Sequence, residues 1–138
     1  MKGVTTMAVL TAEMKEMVNN FQCFIGTVSK DGVQNLGPKM STRVFDDETL
    51  IFNEGTGGTT YQNVLDGSPV VVAVVNREHP DGYRFIGKPE VISNGEIYEK
   101  AAAFAEQNGR KAPKAVVLVH IEEIHSLKPG PTAGKKIS

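Results

Sequence analysis

Residues 55–60 read Gly-Thr-Gly-Gly-Thr-Thr, so a flexible backbone and several hydroxyl groups come directly before a short predicted helix. The first N–H groups of a helix have no partner within it, and the helix dipole favours an anion at that end. These residue types at this place predict a phosphate site. The loop lacks the lysine of a Walker motif, so nucleotide hydrolysis is not supported. A glycine loop with a purely structural role is the alternative.

A second polar group lies in what the pattern predicts to be one strand over residues 34–45. Side chains alternate between the two faces of a strand, so Lys39, Ser41 and Arg43 are expected on one face. An exposed edge with solvated charges is the alternative, because edge strands often carry lysine. Combined with the glycine loop, this cationic face predicts one shared phosphate site.

Other residues that could do chemistry give weaker signals. His120 and His125 stand an odd number of positions apart in a predicted strand, so they are expected on opposite faces and not at one metal site. Cys23 opens a predicted core strand without a basic neighbour in sequence, which indicates an inert buried thiol. His79 is expected to be a solvated loop residue. The sequence shows neither a catalytic triad nor a zinc motif.

The elements that must position these residues are separated by turn signals. Apolar residues at three- and four-residue spacing predict an amphipathic helix over residues 7–21, which Thr11 can cap. Two later helices are predicted over residues 59–66 and 97–105, and the tail over 129–138 is expected to be loosely ordered. The predicted strands cover residues 24–29, 34–45, 49–53, 70–75, 83–93 and 115–127. Six antiparallel strands must protect their edges, which favours a mainly β fold, a β-barrel with flanking helices.

Length and composition limit the class of protein. The 138 residues are predicted to form one domain over residues 1–138. A formal charge of −1 leaves no net attraction toward nucleic acid, so no such partner is expected. The longest apolar run, residues 70–75, is too short to span a membrane. The single cysteine and the absence of a signal-peptide pattern favour the cytoplasm.

Five stretches, taken in order, resemble the pyridoxamine 5'-phosphate oxidase-like split-barrel family. They are residues 24–28, 31–32, 37–41, 59–64 and 83–91. The resemblance covers nearly the whole chain and implies a homodimeric, six-stranded antiparallel FMN-binding split barrel with FMN in a groove at the subunit interface. Phosphate would lie near Lys39, Ser41, Thr59 and Thr60. The implied cofactor-binding set is Pro38, Lys39, Met40, Ser41, Asn53, Glu54, Thr59, Thr60 and Asn63.

Two departures from the family pattern shape the functional expectation. Gly58 stands where many relatives have a basic residue, so Lys39 is expected to contribute more to phosphate binding. The chain has no Trp and ends without the Arg- and Trp-rich segment of the true oxidases, so we do not expect oxidation of pyridoxamine phosphate.

The resemblance predicts a flavin-dependent oxidoreductase or electron-transfer protein, with NAD(P)H as a candidate redox partner. One alternative is a non-enzymatic module that binds FMN, heme or a deazaflavin in the same groove. Another is a structural dimer with a vestigial site.

Overall fold

The computed structural model describes residues 8–138, which form seven β-strands and three α-helices. In chain order these are α1 (Ala12–Asn20), β1 (Cys23–Val28), β2 (Gln34–Pro38), β3 (Arg43–Asp46), β4 (Thr49–Glu54), α2 (Thr59–Leu65), β5 (Val70–Asn76), β6 (Asp81–Ile92), α3 (Glu96–Gln107) and β7 (Ala115–Ser126). All strand pairs are antiparallel. The strand order in the sheet is β2-β1-β5-β6-β7-β4-β3.

The two edge strands of this sheet are consecutive in the chain, and this closes the sheet into a barrel. Six inter-strand steps of about 4.8 Å would place β2 and β3 about 29 Å apart in a flat sheet. Only residues 39–42 join them, and the five Cα–Cα steps from Pro38 to Arg43 span at most about 19 Å. The sheet therefore curls until its edges approach, as in the expected split barrel.

The prediction of one strand over residues 34–45 is wrong. The backbone turns between Lys39 and Thr42, where the N–H and the hydroxyl of Thr42 both donate to the carbonyl of Lys39, at 3.1 and 2.8 Å. The turn divides the segment into β2 and β3, which is why there are seven strands and not six. Lys39, Ser41 and Arg43 therefore do not alternate along one strand. A side-chain pattern of period two does not show where the chain bends round the barrel.

Apolar side chains from five strands fill the barrel and account for its stability. Ile25, Phe52 and Phe85 are completely buried there. On the outside, α3 packs against β4 and β7, with Ala101 and Leu118 in a second buried cluster. Burying such side chains contributes about 1.5–3 kcal/mol each, so this core fixes the strands that carry the polar residues.

The first helix confirms its predicted cap. The hydroxyl of Thr11 accepts a hydrogen bond from the backbone N–H of Met14, and the helix begins at Ala12. Met7, where the predicted helix began, lies outside the described residues, but residues 8–11 are not helical, so the predicted start is too early. The other elements begin and end within two residues of their predicted bounds. None of the helices in the described part of the chain is long and apolar enough to cross a bilayer.

A β-bulge in β7 overturns the prediction that His120 and His125 face opposite sides. Gly87 pairs with Ile121 but Ile86 pairs with Glu123, so Glu122 is an extra residue without a cross-strand partner. The extra residue inverts the alternation, as bulges do. Both histidines therefore lie on the outer face, each with its own carboxylate, as Glu90 lies 2.8 Å from His120 and Glu123 lies 2.9 Å from His125. Within residues 8–138 no three potential metal ligands cluster.

The tail is also more ordered than predicted. Ile137 donates to the carbonyl of Ile124 at 2.8 Å, and Ser126 donates to that of Lys135 at 2.9 Å. The reason is that β4 pairs with β7 only as far as His120. Beyond that point β7 has unpaired backbone groups, which the tail satisfies.

Candidate functional site

The glycine loop after β4 wraps around a carboxylate of the protein itself. Glu54, the last residue of β4, is completely buried. Its Oε1 accepts hydrogen bonds from the N–H of Gly57 at 3.2 Å and the hydroxyl of Thr56 at 3.4 Å. An internal anion thus already uses two of the loop's donors.

Lys39, the expected phosphate cation, is paired with this same carboxylate. Its Nζ lies 2.8 Å from Glu54 Oε2, and it lies 5.9 Å from the centre of the Phe52 ring. Apart from this ion pair, Oε2 has no hydrogen-bonding partner among the described residues. Lys39 therefore compensates a buried charge and fixes the turn between β2 and β3. A direct contact between Lys39 and a phosphate stays a prediction.

Ser41 and Asn53 join the turn to β4. The hydroxyl of Ser41 accepts from the backbone N–H of Asn53 at 2.8 Å. Arg43 donates to the carbonyl of Ser41 at 2.6 Å and to Asn53 Oδ1 at 3.3 Å, while its guanidinium stacks 3.9 Å from the Phe104 ring. Burial lowers the pKa of Arg43 to about 10, so it remains a cation at neutral pH. Met40, by contrast, is 71% exposed.

The three predicted site residues of α2 differ in their surroundings: one is exposed, and two are hydrogen-bonded to the neighbouring strands. The N-cap is Gly58, and no side chain caps the helix, so a threonine cap is not formed. Thr59 is exposed, whereas the hydroxyl of Thr60 accepts from Asn35 at 3.0 Å. Asn63 is buried and donates to the hydroxyl of Thr27 at 3.1 Å, which ties α2 to β1. Whether Asn63 also contacts a cofactor stays a prediction.

Lys114 is a cation at this loop that the sequence alone does not reveal. Its side chain lies over Gly57, so that a Cβ built on Gly57 would be 3.2 Å from Lys114 Nζ. The backbone N–H of Lys114 donates to the carbonyl of Glu54 at 2.9 Å, which fixes it beside the loop. No carboxylate within residues 8–138 lies within 4 Å of its ammonium. Only the pairing of Glu54 with Ala115 brings Lys114 to this loop.

A groove lies on the outer face of the barrel, between the β1–β2 hairpin, β5 and β6. It has a volume of about 540 Å³, within the range typical of small-molecule sites. Its walls are mainly apolar, from Leu36, Val71 and Ile86, and its polar rim includes Asn35. None of the nine predicted site residues lines it, but the hydrogen bond from Asn35 to Thr60 connects it to the start of α2.

The nine predicted residues thus form two groups. The first joins Lys39, Ser41, Asn53 and Glu54 through direct contacts, with Pro38 and Met40 exposed beside it. The second group is at α2: Thr59, Thr60 and Asn63. Residues 55–58 connect the two groups, and Lys114 lies against that connection.

Residues 10–128 match the family described as pyridoxamine 5'-phosphate oxidase. The chain belongs to this family. An uncharacterized protein of Methanocaldococcus jannaschii is 34% identical over 134 residues, which cover 94% of this chain and 88% of that protein. The match agrees with the split-barrel topology and with the order of the sequence motifs.

Solved structures of similar proteins share the fold of this chain. HupZ of Group A Streptococcus has a TM-score of 0.82 and 42% identity over 91% of this chain and 99% of its own. An FMN-binding protein from Syntrophomonas wolfei has a TM-score of 0.72 over 86% of this chain and 89% of its own, at 17% identity. The second likeness shows the fold alone.

Proposed function

We propose that this member of the pyridoxamine 5'-phosphate oxidase family binds FMN and acts as a flavin-dependent oxidoreductase or electron-transfer protein. The flavin ring supplies the redox chemistry when bound, and the protein supplies position and electrostatics. The proposal rests chiefly on one observation: the ammonium of Lys114 lies against Gly57 without a carboxylate partner, beside the start of α2.

The residues at the start of α2 fit a phosphate. Thr59 offers an exposed hydroxyl, and the first turn of α2 offers backbone N–H groups, because the first helical hydrogen bond is donated by Gln62. Lys114 supplies the cation that Gly58 lacks. A cation with hydroxyl and amide donors is a set that suits a phosphate dianion. Lys39 supports this set indirectly, by neutralising Glu54 beneath the loop.

The groove fits the apolar part of such a cofactor. Gly26 forms part of its floor, where a Cβ would lie 2.6 Å from Val71 Cγ1, so the flat surface depends on the glycine. Leu36 and Ile86 offer apolar contact for a planar ring, and Asn35 offers a polar group at the rim. A groove with few polar groups and mainly apolar walls is typical of cofactor sites.

We propose further that two copies of the chain associate over this face. Leu36 is 71% exposed, and Phe24 and Val33 are also exposed on the same hairpin. A cluster of exposed apolar side chains on one region of a protein often marks an interaction surface. A second copy would shield these side chains and the groove from water, consistent with the interface site that the family resemblance implies.

A module that only binds FMN is the main alternative, and reduction by NAD(P)H distinguishes the two. If bound flavin is reduced by NADH or NADPH faster than free FMN, the chain is a reductase. If it is not, the chain is a carrier or uses another donor. For heme, the described structure offers little support, since none of the three histidines lines the groove. A deazaflavin would use the same phosphate donors and is distinguished by its absorption spectrum.

The proposal is tested by titrating FMN and riboflavin into the protein and following flavin fluorescence. We expect FMN to bind at micromolar concentrations and more tightly than riboflavin, which has no phosphate. Lys114→Gln should weaken FMN binding by about tenfold, the scale of one charge-assisted contact, and leave riboflavin binding unchanged.

Lys111→Gln is the matched control, because Lys111 is an exposed lysine in the same loop that does not contact Gly57. It should bind FMN as the wild type does. Absence of FMN binding to the wild type would contradict the proposal. Equal losses in both variants would instead show general charge attraction and remove Lys114 from the site.

A further inference from the structure

The last residues of the chain form a strap, residues 130–138, which lies along the free edge of β7. Its backbone pairs with β7 through Ile124 and Ser126, whose N–H groups donate to the carbonyls of Ser138 and Lys135, both at 2.9 Å. Gly134 donates back to the carbonyl of Ser126 at 2.7 Å. The strap thus covers backbone groups of β7 that β4 leaves unpaired.

Two side chains from the barrel also hold the strap. The hydroxyl of Ser126 lies 3.3 Å from that of Thr132. Arg84 of β6 donates from Nη2 to the carbonyl of Gly134 at 3.2 Å and from Nε to His125 Nδ1 at 2.9 Å. The second contact requires His125 Nδ1 to carry no proton, because an acceptor is needed there. The Nε2 of His125 lies 2.9 Å from Glu123 Oε1 and therefore carries the proton of the neutral ring. The geometry thus specifies a neutral His125 with a defined tautomer.

We propose that protonation of His125 releases the strap from β7. A proton on Nδ1 removes the acceptor for Arg84 Nε and sets two N–H donors, both on cations, against each other. Arg84 must then move, and its contact with the carbonyl of Gly134 depends on the same guanidinium. The docked strap requires the neutral ring and the released strap does not, so docking weakens as the pH falls. Histidine is the side chain that gains its proton between about pH 8 and pH 5.

Three charged groups surround His125 and bear on this balance. Arg84 on β6 places its positive charge at His125 Nδ1. Glu123 on β7 attracts the charged ring, and the hydrogen bond with His125 holds the pKa of Glu123 below its usual range. Lys136 of the strap bridges to His125 through its backbone, and its positive charge also lowers the pKa of Glu123. Glu123 moderates the effect, but it cannot restore an acceptor for Arg84.

Release of the strap would expose the edge of β7. The N–H groups of Ile124 and Ser126 would lose their partners and become available to another extended segment. Exposed strand edges pair readily with other strands. The strap is therefore a pH-sensitive cover for one edge of the barrel.

Amide hydrogen exchange at about pH 7.5 and about pH 5.5, on either side of the range in which histidines titrate, tests the proposal. The exchange rates are expressed as protection factors, which removes the intrinsic pH dependence of amide exchange. For the amides of Ile124, Ser126 and Ile137 we expect protection to fall by about tenfold or more at the lower pH, as for local opening. Amides of β5 should keep their protection.

The variant His125→Gln offers Arg84 an acceptor that does not titrate, so its strap protection should be independent of pH. His120→Gln is the matched control, because His120 lies on the same face but contacts Glu90 and not the strap. It should behave as the wild type does. Unchanged protection in the wild type, or a loss that persists in His125→Gln, would overturn the proposal.

Discussion

Lys39 and Glu54 form an ion pair in which Nζ lies 2.8 Å from Oε2 and the carboxylate is completely buried. The pair joins the turn between β2 and β3 to the end of β4. That turn closes the barrel, so the pair is a structural element of the fold. Lys39, which the sequence predicts to be a phosphate ligand, thus neutralises the charge of Glu54 in this structure.

Removing Lys39 should destabilise the protein strongly. In Lys39→Ala the buried Glu54 carboxylate loses its compensating charge, which typically costs about 3–5 kcal/mol. Urea unfolding should show this loss, and the double variant Lys39→Met with Glu54→Gln should recover most of it.

Lys88→Ala is the control for this experiment, because Lys88 is exposed and lies 3.5 Å from the partly exposed Glu122. Such a surface pair contributes at most about 1 kcal/mol. If Lys39→Ala unfolds at the same urea concentration as Lys88→Ala, the ion pair is not a structural element.

Substitution of Gly87 should disturb the pairing of β6 with β7. A Cβ there would lie 2.9 Å from the carbonyl carbon of His120 and closer still to its oxygen. Gly87→Ala should therefore cost about 1–3 kcal/mol through overpacking against backbone. Gly37→Ala serves as the comparison, since a Cβ at Gly37 meets nothing within 4 Å. Thermal unfolding of both variants measures the difference, and equal midpoints would contradict this packing.

The proposed dimer should depend on Leu36. Because Leu36 is 71% exposed, Leu36→Glu should leave the fold of one subunit intact. It places a charge on the apolar face, so we expect a dimeric wild type and a monomeric variant by light scattering. Leu65→Glu, an exposed change on α2 outside the groove, should remain dimeric. A monomeric wild type, or a dimeric Leu36→Glu, would exclude this face as the interface.

The thiol of Cys23 should be unreactive in the folded protein. Burial raises the pKa of Cys23 to about 12, so the thiol stays protonated at all ordinary pH values. Iodoacetamide at about pH 8 should label Cys23 only after unfolding, because the thiolate is the nucleophile. Mass spectrometry of native and urea-treated samples gives the result. Rapid labelling of the native protein would contradict the burial of Cys23.

The sequence predicted those features that repeat along the chain. Alternating and continuous apolar residues located the strands, and Thr11 was recognised as a residue that can cap α1, although the helix itself was predicted to start too early. The wrong predictions concern places where a single turn or a single extra residue interrupts the side-chain alternation of a strand. The turn at Lys39 splits one strand, and the extra Glu122 returns His125 to the face of His120.

Contacts between distant segments could not be derived from local patterns. Lys114 reaches Gly57 because β4 and β7 pair, and the pairing of the strap follows from the different lengths of those strands. Glu54 illustrates the same limit for the site. The family resemblance implied a cofactor contact for Glu54, but its burial and its pairing with Lys39 depend on the closed barrel.

The absorption spectrum of the purified protein, with mass spectrometry of any released cofactor, shows most directly whether the chain binds FMN. We expect the spectrum of an oxidised flavin and the mass of FMN, or full recovery of that spectrum when FMN is added to the apoprotein. A heme or deazaflavin spectrum would assign the groove to another cofactor. A colourless protein that leaves the fluorescence of micromolar FMN unchanged would show that the chain does not bind FMN.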